Sequence, residues 1–231
     1  RMSRLGRRQM YANALTLPGG EEIRLSGRSR ILDSTTANAE EGNGQPQGLF
    51  RIWQLDGYGD LPDFSLTPAA EADREAFNPL TDDPALNCIP PGLPSAMRNP
   101  YPLEFIDQGE SIALYLEEWD GLRTIYMSSQ DGERESLPTP MGYSVGHWED
   151  TVLVVNTNQI NYPYADDLGT PQSTAVTMVE HFTLSENDTR LHWTASVADP
   201  ETYTGTTFWE MFWKYTPGEQ RKPYNCSLPE E

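Results

Sequence analysis

From Leu103 to Tyr215 the chain is a ladder of short runs in which apolar and polar side chains alternate. LEFIDQ, SIALYLEEW, LRTIYMSS, YSVGHW, TVLVVNTN, AVTMVEHFTL, RLHWTASV and TFWEMFWKY follow one another, and turn-rich segments join most of them. Period-two runs of this length are strands, because successive side chains on an extended backbone point to opposite faces. A ninth such run, GLFRIWQLDG, lies at residues 48–57. Strands in sequence, mostly hairpin-linked, bury their apolar faces by closing on themselves or on a second sheet. The expected fold is therefore mainly β: an antiparallel, lipocalin-like β-barrel or half-barrel, with an N-terminal β-hairpin remnant and one short helix.

Two cysteines, Cys88 and Cys226, stand at the two ends of this ladder. A bond between them ties the entry of the β block to its exit. Two buried thiols are the alternative, and they suit a cytosolic protein. The Pro-rich, Tyr- and Trp-rich, acidic composition is that of an exported one, so a disulfide and a periplasmic or extracellular location are expected.

The rest of the chain divides around the block. QMYANALTL, PGGE and EIRLSG read as strand, turn and returning strand, the end of a small β domain over residues 1–32. The chain begins Arg-Met, as a processed product or a fragment would. Residues 33–48 (DSTTANAEEGNGQPQG) are polar and Gly/Asn-rich, a linker. Residues 49–86 hold a strand and a helix expected to pack on the barrel. Thr67 can cap that helix, Pro68 suits its first position, and Asn78-Pro79 ends it. Six prolines between Pro84 and Pro102 predict an extended strap over the barrel surface. The barrel or sandwich itself is assigned residues 87–231.

Charge narrows the partners. Residues 1–30 carry seven Arg and two Glu, whereas residues 31–231 carry nine basic and 33 acidic side chains. An acidic body of this kind repels nucleic acid and anionic lipid. No apolar run approaches the ~20 residues of a spanning helix. No loop has calcium-ligand spacing, so neither a metal nor any other cofactor is expected.

Alternation assigns faces. If Asp120-Gly121 is a two-residue turn, Glu118 faces Arg123 and Leu116 faces Ile125. Ile112, Leu114, Leu116, Ile125 and Met127 then share an interior face, with Glu118 and Arg123 as a charged pair at its rim. Such a pair can hold the polar end of a ligand, or simply set hairpin register. Across the SENDT turn, Leu184 faces Leu191 and Phe182 faces Trp193, which puts His181 and His192 outside. Trp209, Met211, Trp213 and Tyr215 form one stripe. Candidate ligand-binding residues are Glu118, Arg123, Trp193 and Trp213.

Catalytic patterns are weak. The three histidines show neither HxH nor HExxH spacing. Ser144 and His147 lie on opposite faces of one strand. Adjacent carboxylates such as Glu117-Glu118 diverge on a strand and make no acid–base pair.

CIPPGLPSAMRNPYPLEF, EEWDGLRTIYM, MGYSVGHWEDTVLVVNT and the closing PYNC resemble a family of uncharacterised exported bacterial proteins. In that family an OB-like part is followed by a β-rich domain, and only this resemblance implies that the remnant at residues 1–32 is OB-like. The resemblance implies export and this fold, and carries no activity. Three functions remain. The first is a binding protein for a small apolar or amphipathic ligand. The second is a structural or assembly subunit, able to self-associate or join a larger extracellular complex. The third is a hydrolase- or isomerase-type enzyme using interior carboxylates.

Overall fold

The computed structural model describes residues 47–128 and 137–228. The expected hairpin at 9–25, the OB-like remnant and all but the end of the linker lie outside the described residues. The ladder forms nine strands: β1 (Ile52–Tyr58), β2 (Leu103–Asp107), β3 (Ser111–Leu116), β4 (Gly121–Tyr126), β5 (Tyr143–Glu149), β6 (Val152–Asn158), β7 (Thr177–Leu184), β8 (Arg190–Ala198) and β9 (Thr207–Tyr215). Each pairs with its sequence neighbours, and β9 returns to β1, so the sheet closes into a barrel. Closure leaves no long free edge. The barrel agrees in general kind with the expected lipocalin-like class. β1, which lies in the 49–86 segment, is a stave of it between β2 and β9.

All pairings but one are antiparallel. β4 and β5 run parallel and meet only through Ile125 opposite Ser144 and Tyr126 opposite Val145. Gly146 faces this seam. A Cβ there would stand 2.7 Å from Ile125 Cγ2, so only glycine lets the two strands approach. A second thin seam joins β1 to β2 through Ile52 opposite Glu104 and Trp53 opposite Leu103.

Alternation holds most strictly on β8 and β9. Leu191, Trp193, Ala195 and Val197 point inward from β8, as do Trp209, Met211 and Trp213 from β9. Tyr215, placed in the same stripe by sequence, is exposed because β9 ends there. Trp53, Phe105, Ile112, Leu114, Leu153, Val155 and Phe182 complete one contiguous core. Four tryptophans, Trp53, Trp193, Trp209 and Trp213, are among its fully buried side chains.

The helix, α1 (Pro68–Ala76), forms where its capping residues placed it. Thr67 Oγ1 accepts from Ala70 N, and Pro68 opens the first turn. Ala70 is buried, and the following Phe77 packs edge-on against Tyr164. The Pro-rich segment is not a simple surface strap. Leu93, Ala96 and Met97 belong to the barrel core, and short 3-10 turns occupy Pro84–Asn87 and Ser95–Arg98. Proline favours such tight turns as readily as extended chain.

Cys88 and Cys226 are bonded, 138 residues apart. The C-terminal tail reaches this bond along β2 and β3. Arg221 pairs with Glu104 and lies over the Tyr115 ring, and Lys222 N donates to Glu117. By loop-closure entropy, a bond across so long a loop stabilises by up to about 5 kcal/mol. Replacing both cysteines by Ser should lower the urea-denaturation free energy towards that amount. Reductant should then change the native protein's midpoint and leave that of the double variant unmoved.

Candidate functional site

Among the described residues, the candidate side chains fall at two places. The first lies inside the barrel. Arg123 on β4 points inward and is 1% exposed. Its Nε donates to Ser144 Oγ (2.9 Å), its Nη1 to Glu180 Oε1 (2.9 Å), and its Nη2 to Thr157 Oγ1 (2.7 Å) and to Glu180 Oε2. Trp193 Nε1 also donates to Glu180 Oε1, at 3.0 Å. Ser144 and Thr157 hydroxyls are 3.0 Å apart. The guanidinium thus uses four of its five N–H groups, in the two-pronged geometry that suits a carboxylate. Glu180 is fully buried.

This arrangement corrects the expected rim pair. Leu114, not Glu118, stands opposite Arg123, and Leu116 stands opposite Gly121. The turn is not a two-residue one. Glu118–Asp120 make a 3-10 turn in which Trp119 (φ 61) and Asp120 (φ 48) take the left-handed conformation, while Gly121 is extended. The register differs from the expected one by an even step, so every side chain keeps its face. Arg123 is therefore interior as read, but it lies in the core instead of at an edge, and its partner is Glu180.

Sequence reasoning missed Ser144, Thr157 and Glu180 as a set. A signal existed. Glu180 alternates in phase with Met178 and Phe182, and Arg123 with Ile125. Two opposite charges on interior positions of different strands mark a buried pair, because an unpaired buried charge is too costly.

The second feature is a rim cleft beside the β3–β4 turn, bordered by Met97, Asn99, Tyr101, Leu116, Glu118 and Trp213, with a cavity of ≈ 10 Å³. That is room for about one water molecule. Glu118 Oε2 and Trp213 Nε1 are both buried and have no hydrogen-bond partner. Burial, with the Asp167 charge added, pushes the Glu118 carboxyl up to about 7. Tyr101, which borders the cleft, packs edge-on against Tyr224 at 5.8 Å, and Tyr224 lies 4.9 Å from Trp119. Tyr224 N donates to Asp120 Oδ2, which fixes the tail to the turn.

The candidate residues thus separate. Arg123 and Trp193 meet at Glu180. Trp213 packs edge-on against Trp193, 6.3 Å between centroids, and also borders the cleft with Glu118. His181 and His192 face outward, and His192 stacks on Phe212 and pairs with Glu210. His147 lies outside beside Glu149, whereas Ser144 is inside.

No protein family, curated protein or solved structure matches the chain.

Two outcomes follow. Glu180→Ala should cost about 3–5 kcal/mol in chemical denaturation, because it strands the Arg123 charge. Arg123→Met combined with Glu180→Leu should recover most of that loss. For Glu118, the folded pKa lies above its ordinary 4.5. The folded state therefore holds a proton that the unfolded chain releases, and the associated stability, full below pH 4.5, is lost as pH rises to about 7. Glu118→Gln should remove that pH dependence, worth on the order of 1–2 kcal/mol for a partly exposed group. Urea midpoints at pH 5 and pH 8 measure it.

Proposed function

We propose that this chain is an extracytoplasmic, non-catalytic binding protein that meets a small amphipathic ligand at the β3–β4 rim and not inside the barrel. The observation that carries this reading is the cleft shared by Glu118 and Trp213, each with a buried polar atom lacking a partner. Leaving such atoms unpaired costs about 1–3 kcal/mol each, which a bound polar group offsets. A concave site with a few convergent polar groups and a carboxyl of shifted pKa is where ligand recognition is sought first. The interior offers no comparable room, since Arg123 and the tryptophans fill it.

The disulfide and the acidic composition support an exported location. Against the enzymatic reading stands the state of the fully buried carboxylates. Glu180 is held by Arg123 and Trp193, and Asp199 by Ser173, Glu201 N and Thr202. Neither has an acceptor site directed at a substrate. A second reading, an assembly subunit, draws on the filled interior and on Phe208 and Leu122, which stand exposed on the outer faces of β9 and β4.

A screen of small amphipathic compounds against the ¹⁵N-labelled chain tests this. Binders should shift the Trp213 indole N–H and the Tyr101 and Glu118 amides. If no compound shifts them and sedimentation shows concentration-dependent self-association, the assembly reading replaces this one.

A further inference from the structure

We propose that Glu118 is a pH-operated latch for the C-terminal tail. While Glu118 holds its proton the tail stays clasped to the β3–β4 turn, and ionisation lets the tail lift while the disulfide tethers its end. The proposal goes beyond ligand binding at the cleft and does not depend on it.

The clasp is made by neighbouring residues of one turn. Glu117 Oε2 accepts from Lys222 N at 2.9 Å, and Asp120 Oδ2 accepts from Tyr224 N at 3.2 Å. Between them in sequence, the Trp119 ring lies 4.9 Å from that of Tyr224. The Tyr101 ring meets Tyr224 from the other side of β2, at 5.8 Å. Arg221, one step earlier in the tail, pairs with Glu104 and lies over Tyr115. The tail is not a strand of the sheet, so these side-chain contacts hold it instead of a ladder.

Glu118 has a different environment from its neighbours. It borders the cleft with Met97, Leu116 and Trp213, and its Oε2 is buried without a hydrogen-bond partner. A neutral carboxyl can rest in such a place, whereas a carboxylate needs water or a counter-charge. The charge acting on it is that of Asp167, from the β6–β7 connection, and it has the same sign. Burial and that charge push the Glu118 carboxyl up to about 7. Tyr58, at the end of β1, is raised by burial and also by Glu118, and Arg98 beside it acts the other way. Burial and then the Glu118 charge raise the Tyr224 phenol. The tail therefore lies within the field of the Glu118 carboxyl, and lifting it brings water closer to that carboxyl. By linkage, the lifted state gains as pH rises towards and past 7. The tail is anchored by β9 at one end and by Cys226 at the other. A lifted segment thus stays near its seat and closes again on protonation. Lifting uncovers the Tyr101, Tyr115 and Trp119 rings.

The test follows the full-length labelled protein by NMR at pH 5 and pH 8, with the disulfide intact and no ligand added. At pH 5, Overhauser contacts should join the Tyr224 ring to Trp119 and Tyr101. At pH 8 they should fade, the Lys222 and Tyr224 amides should shift, and the lifted fraction should rise about tenfold or more. Glu118→Gln should keep the tail seated at both pH values. Asp167→Asn, a milder change, should lower the Glu118 midpoint and shrink the rise. Ring contacts that persist unchanged at pH 8 overturn the proposal. So does a Glu118→Gln or Asp167→Asn protein whose tail lifts as the native one does, because another group is then the trigger. Neither result bears on whether the cleft binds a ligand, which the compound screen decides.

Discussion

The fold depends on one side chain crossing one of its two thin seams. β4 and β5 are joined in parallel by two neighbouring residue pairs, too few to hold a stave in place. Arg123 leaves β4 just above that contact and bonds to Ser144 on β5, Thr157 on β6 and Glu180 on β7. One guanidinium thus ties four consecutive strands together from the inside. Hydrophobic residues of the same volume would fill the space at no greater cost, and burying an ion pair is seldom a net gain in stability. They would not fix the register, because apolar packing is non-directional. The fork of Arg123 is directional. It admits one alignment of β4 against β7, and a slip of one residue would turn Arg123 outward and leave Glu180 unpaired.

The second thin seam, β1 against β2, has Trp53 on its inner side, and the tail crosses β2 and β3 outside. Trp53 inserts its ring into the core and anchors its indole N–H on Leu49 O. On the far side of β2 the tail passes over Glu104 and Tyr115 before Cys226 meets Cys88. The disulfide joins two pieces of irregular chain, the proline-rich segment and the tail, which have no ladder hydrogen bonds to hold them. Leu93 and Met97 on that segment are core residues, so the bond also keeps the barrel's apolar contents covered. A polar fork inside and a covalent strap outside divide the work of closure.

The strands and their faces were legible in the sequence because period-two patterning is local. The β7–β8 register was legible too: Leu184 does stand opposite Leu191, and Phe182 opposite Trp193. The β3–β4 register was not, because Asp-Gly is the commonest two-residue hairpin signal. Here the β3–β4 ladder stops at Leu116 opposite Gly121, and Asp120 N donates back to Glu117 O, so a longer turn replaces the two-residue one. The left-handed positions then fall on Trp119 and Asp120; Asp tolerates such a position, but nothing in composition marks a tryptophan for one. The proline-rich segment was misjudged for a related reason. Proline content specifies irregular backbone, but whether Leu93 and Met97 go inward depends on an opening that only the closed barrel creates. The convergence of Glu118 and Trp213 is likewise tertiary, since no spacing along the chain brings those residues to one cleft.

The filled interior changes what a barrel of this class can do. In a ligand-carrying barrel the side chains stop short of the axis and leave a cavity. Here Trp53, Trp193, Trp209 and Trp213 reach inward from three strands, and Arg123 and Glu180 fill the polar centre. Opening that space for a ligand would mean separating a bonded ion pair in an apolar medium, a cost of several kcal/mol. The same packing gives the rim its precision. Trp213 is wedged between Trp193 and the cleft, and Trp193 is itself pinned to Glu180. The Trp213 ring beside the cleft is therefore positioned, through Trp193 and a carboxylate, by the same Arg123 that closes the barrel. Rigidity in the core thus becomes preorganisation beside the cleft, where a weak contact would gain most from not having to order its own partner.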